Sequence, residues 1–143
     1  MVSTTVAPST RTPTIARTVV LLAAAVVVAG VSAGIVAFSA AAAGAGAFPP
    51  LMPAVYLTFV VLGLVAGYLG WRIVRARAPR PLALLRVLVP VLLVLSLLPD
   101  TILLLTGFIP GTTVTGAVAL MLMHPIVVAV GVPVYQRLAP VTR

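Results

Sequence analysis

Four long apolar runs, with all of the formal positive charge before the first, between the second and third and at the end of the last, leave this sequence few ways to fold. The cationic side chains are all arginines, in three groups: Arg11 and Arg17; Arg72, Arg75, Arg77, Arg80 and Arg86; Arg137 and Arg143. Cytoplasmic segments of membrane proteins retain Lys and Arg, and two consecutive transmembrane hairpins put all three groups on one side. The pattern predicts an all-α integral membrane four-helix bundle with N-in/C-in topology. Composition excludes a soluble fold, because 62% hydrophobic and 7% charged residues at a mean hydropathy of +1.30 cannot clothe 143 residues in polar surface.

A net charge of +8 elsewhere signals nucleic acid. A nucleic-acid stripe needs basic residues along one exposed face with polar or aromatic readers among them, whereas these arginines flank apolar runs, so no nucleic-acid partner is expected. The expected partners are the lipid bilayer, anionic lipid head groups at the cytoplasmic face, and a second copy or another membrane protein. The chain has no cysteine, which removes disulfides, haem attachment and thiol chemistry. No cofactor, no metal site and no enzymatic activity are expected. The absence of lysine beside abundant Ala, Val, Gly, Pro and Arg points to a GC-rich bacterial genome, and hence to a multi-pass protein of a bacterial plasma membrane.

Residues 1–16 are rich in Ser, Thr and Pro and read as a disordered cytoplasmic tail. A four-helix transmembrane domain follows over residues 17–138, with spans at about 18–45, 53–71, 84–106 and 114–135, and residues 139–143 form a second cytoplasmic tail. The first run, Thr18 to Ala47, exceeds the ~20 residues that cross a bilayer, which predicts tilt or an unwound Ala/Gly end. A cleaved signal peptide ending at Ala45-Gly46-Ala47 is the alternative, with an apolar region well beyond the usual ~7 to 15 residues. Phe48-Pro49-Pro50 stops that span. Tyr68, Trp71 and Arg72 mark the inner interface at the end of span two, as Tyr135 and Arg137 do for span four. Arg72 to Arg86, with Pro79 and Pro81, reads as the one substantial internal loop. Its arginines serve orientation first, with lipid head groups or an acidic partner as the alternative.

An ionisable residue inside a membrane is costly, about 2.5 to 3.5 kcal/mol for Asp at a helix centre, and is therefore a functional candidate. Asp100 and His124 qualify. If span three is Val87 to Phe108, Asp100 lies near the midplane, level with His124. If it is Leu82 to Leu98, Asp100 caps a short interfacial helix starting at Thr101. In the first register the two side chains lean toward each other, since helical side chains point back toward their own N-terminus and the helices are antiparallel. Ser96 adds a supporting polar group one turn before Asp100. Thr113, Ala117 and Gly131 share a stripe with His124 that turns it toward the bundle. Pro125 deprives the Met121 carbonyl of its helix donor and predicts a kink in span four. Packing is the first reading of the pair and a proton relay the second. Copper at Met121, Met123 and His124 lacks completing ligands, and a Ser96-His124-Asp100 triad lacks a nucleophile turn and an oxyanion donor. Gly30 with Gly34 and Gly63 with Gly67 form GxxxG pairs suited to close packing within the chain or between copies.

Leu95-Ser96-Leu97-Leu98-Pro99 late in span three, Ala119-Leu120-Met121-Leu122-Met123-His124 in span four and Pro133 beyond it resemble an actinobacterial family of small four-span membrane proteins defined only as a domain of unknown function. The resemblance implies the architecture and a bacterial membrane location, and it brings no mechanism. Pro125 directly after the histidine departs from that pattern, and Asp100 is a feature of this chain. The function expected is that of a structural or interaction component of the membrane, or alternatively an oligomeric proton-coupled transporter or channel subunit using Asp100 and His124.

Overall fold

A computed structural model describes residues 14–141. These form α1 (Ile15–Ala40), extended by a π-helical turn Ala41–Ala45, then α2 (Pro53–Arg77), α3 (Pro81–Ser96), α4 (Leu98–Thr106) and α5 (Val114–Leu138). With α3 and α4 counted end to end, four helices are long and apolar enough to cross a membrane. α5 packs against each of the other helices.

Small residues let the helices approach. Ala25, Ala29, Ala33 and Ala37 recur every four residues along α1 and are buried. In lipid the hydrophobic effect gives helices no reason to associate, so close backbone packing carries the association. Both glycine pairs lie against a neighbouring helix. A Cβ on Gly30 or Gly34 would meet Leu57 or Tyr56 of α2, and one on Gly63 or Gly67 would meet Val127 or Tyr135 of α5. Large apolar side chains, among them Val28, Phe59, Val94 and Leu105, point outward instead.

The ends of the helices differ from the expected spans. Thr14 caps α1 by accepting the Arg17 N–H, so Ile15 and Ala16 are helical where a tail was expected; residues 1–13, with Arg11, lie outside the described residues. Gly44 and Gly46, at φ of +92° and +63°, stop the long first helix, because only glycine enters that region cheaply. The Arg72 to Arg86 segment is not a loop. α2 continues through Arg72, Arg75 and Arg77, only Ala78 to Arg80 connect, and Arg86 lies inside α3. Arginine is a good helix former and its stem is apolar, so a charge need not end the helix. Pro81 restarts it at the first position, where its missing N–H costs nothing.

Tyr68, Trp71 and Tyr135, expected at a lipid interface, are buried against one another, with both Tyr68 and Trp71 rings 6.0 Å from that of Tyr135. Tyr135 Oη donates to the Leu64 carbonyl at 2.8 Å and Trp71 Nε1 to the Ala139 carbonyl at 3.0 Å. Ala139 and Val141 are thereby docked into the core rather than trailing as a tail; residues 142–143 lie outside the described residues. At the opposite end Phe48 is fully buried over Gly116, and Gly111 meets the Ala47 carbonyl, so the two turns at that end touch.

Candidate functional site

Neither expected register of span three describes what Pro99 does. Proline has no N–H to offer the Leu95 carbonyl and its ring crowds that carbonyl. α3 closes with a tightened turn, Leu97 N–H to the Val94 carbonyl at 3.1 Å, and α4 begins at Leu98 with Pro99 in its first turn. Asp100 is thus neither the middle of an unbroken span nor an N-cap; it is the third residue of α4, where a carboxylate is favoured by the helix dipole.

From there the side chain reaches α5. Asp100 Oδ2 lies 3.3 Å from His124 Nδ1, with the carboxylate buried and the imidazole side chain 34% exposed. Nδ1 is also 3.0 Å from the Leu120 carbonyl, one turn earlier. A carbonyl only accepts, so a hydrogen bond here is donated by Nδ1–H. The N–H is aimed at Leu120 and the carboxylate lies beside it. Oδ2 is accordingly buried without an aligned donor although it is close to the ring. The pair is a polar contact between α4 and α5.

The other sequence-selected residues divide. Ala117 and Gly131 are buried on the His124 stripe, and Thr113 caps α5 by accepting the Gly116 N–H at 3.0 Å. Ser96 donates to the Leu93 carbonyl at 2.7 Å, within its own helix, and makes no hydrogen bond to Asp100 or His124. Pro125 sits in an α5 that runs unbroken from Val114 to Leu138. Met123 is in the core. Among the described residues no three His, Cys, Asp or Glu side chains come together.

Two surface clefts stand away from the pair. One, of about 330 Å³, is lined by Arg72, Arg75 and Ala76. The other, of about 360 Å³, lies between α1 and α2 at the far end, against Gly34, Phe38, Phe48 and Tyr56. The Tyr135 and Trp71 bonds escaped the sequence reading, although Gly67 and Gly131, which leave room for the Tyr135 hydroxyl, were a local signal of a large side chain nearby. No family model, curated protein or solved structure matches this chain, and the likeness noted in its last two spans rests on the residues quoted there.

Proposed function

We propose that this chain is a structural or interaction component of a bacterial plasma membrane, with both ends on the cytoplasmic side and no chemistry of its own. The observation that carries the reading is the placement of Asp100 and His124, which join α4 to α5. Proton transport needs carboxylate and imidazole on a shared wet cavity, whereas packing needs only a protein partner for each. Burying an ionisable pair is costly, and its use here is to give α4, whose only other buried residue is Leu103, a specific seat on α5.

One feature favours the rival proton-coupled reading: Oδ2 has no aligned donor while the imidazole is partly exposed. Proton flux into proteoliposomes under an imposed pH gradient separates the two. The structural reading expects wild-type flux equal to that of empty liposomes. Flux above that level, abolished by Asp100→Asn or His124→Ala in folded protein, would replace it with the transporter reading.

Orientation is tested independently, since a chain without cysteine accepts single labels cleanly. Pro79→Cys, between α2 and α3, is expected to resist a membrane-impermeant maleimide in intact bacterial spheroplasts, while Phe108→Cys, beyond α4, reacts. The reverse pattern would invert the topology and refute N-in/C-in.

A further inference from the structure

The chain has nine arginines and one acidic residue, and that residue is beside His124. Among the described residues no arginine stands within ion-pairing distance of a carboxylate. Nothing acidic among the described residues balances the charge at the α2–α3 end. Arg72 and Arg75 are set apart from their neighbours. Three residues apart, they share one face of α2 and line a cleft of about 330 Å³ with Ala76. Ala76 contributes only a methyl group, which leaves the space beside the guanidinium groups open. Arg72 is steadied by the Tyr68 ring, whose centroid is 5.9 Å from the guanidinium carbon. At 3.6 residues per turn, Arg77 is rotated by roughly 140° from Arg72 and faces elsewhere.

The same face continues toward the membrane interior through exposed Val65 and Leu69. A ligand seated at the arginines with an apolar tail would lay that tail along this stripe. We propose that Arg72 and Arg75 bind the phosphodiester of an anionic glycerophospholipid, with its acyl chains against Val65 and Leu69. Guanidinium groups offer paired N–H donors that match two phosphate oxygens, which an ammonium cannot reproduce. A zwitterionic head group is disfavoured because its own cation meets the uncompensated arginines. Orientation alone makes a different demand: it counts positive charge, and lysine satisfies it as well as arginine.

The test titrates the full-length protein, in a neutral detergent, with short-chain phosphatidylglycerol, with phosphatidylcholine of the same chain length, and with sodium phosphate, and counts bound molecules by native mass spectrometry. Wild type is expected to prefer phosphatidylglycerol to both. Arg72→Gln with Arg75→Gln lowers that affinity roughly 25-fold, since each arginine near a membrane surface contributes about fivefold. Arg72→Lys with Arg75→Lys, which keeps charge and topology, loses part of it, and Arg77→Gln with Arg80→Gln stays within about twofold of wild type, since one faces elsewhere and neither lines the cleft. An unchanged lysine variant, an equal loss from the Arg77 and Arg80 pair, equal binding of phosphatidylcholine, or sodium phosphate binding as tightly as the lipid would each overturn the proposal. Matching unfolding transitions for the lysine variant and wild type keep a folding defect from imitating the result.

Discussion

His124→Leu is expected to destabilise the bundle by about 3 kcal/mol, Asp100→Leu by about 1 kcal/mol or less, and the double substitution to leave it close to wild type. The asymmetry follows from what each change leaves behind. Without the imidazole, the buried Oδ2, which already lacks an aligned donor, also loses the polar ring 3.3 Å away and is left facing a leucine. Without the carboxylate, the imidazole keeps its 3.0 Å contact with the Leu120 carbonyl and loses little. With both replaced, leucines fill the space and no polar group remains to desolvate, which is why removing a whole buried pair is often harmless where breaking it is not. Unfolding in mixed micelles with increasing dodecyl sulfate reads all three. Equal single effects that simply add in the double variant would mean that α4 is not seated on α5 through this pair.

Gly131→Ala is expected to cost about 2 to 3 kcal/mol in the same assay. Tyr135 leans back along α5 toward its N-terminus and passes over Gly131, one turn earlier, on its way to the Leu64 carbonyl. A Cβ at Gly131 would lie 2.7 Å from the Tyr135 hydroxyl, 2.8 Å from its ring and 3.1 Å from the Leu64 side chain, and all three are in the packed interior. The ring cannot yield without breaking its bond to α2 and disturbing Tyr68 and Trp71. Adding Tyr135→Phe removes the hydroxyl and not the 2.8 Å approach of the ring, so rescue is expected to be partial. Gly70→Ala is the internal control, because a Cβ there meets nothing within 4 Å and alanine gains about 1 kcal/mol in helix propensity. A Gly131→Ala protein as stable as the Gly70→Ala protein would show that the close packing at Tyr135 is dispensable.

The helical architecture was legible because lipid leaves no alternative: a backbone in hydrocarbon must satisfy its own hydrogen bonds, so long apolar runs become helices. The meeting of Asp100 and His124 was legible only in the register that ran span three from Val87 to Phe108, from the cost of ionisable groups in membranes and the lean of side chains on antiparallel helices. Its depth was not, since both readings of span three treated Pro99 as lying inside or after one helix. The break after Ser96 depends on how Leu97 tightens and how α4 packs on α5. The end of α2 misled for a local reason. Charge at Arg72 reads as the end of the span, while the helix ends where Pro79 and Pro81 intervene. The aromatic cluster needed partners from two helices at once, Gly67 from α2 and Gly131 from α5, and no window along the sequence contains both.

Trp71 is the chain's only tryptophan, and its indole is clamped to the Ala139 carbonyl. Selectively excited tryptophan emission from this protein is consequently a local gauge: it brightens, dims or shifts when residues 139–141 come away from α2. Loss of α4 from α5, or of the turns around Phe48, would leave the indole in place. A fluorescence transition that precedes the loss of helical circular dichroism would then record undocking of the carboxyl-terminal segment, and it would be a mistake to count it as a populated intermediate of the whole bundle.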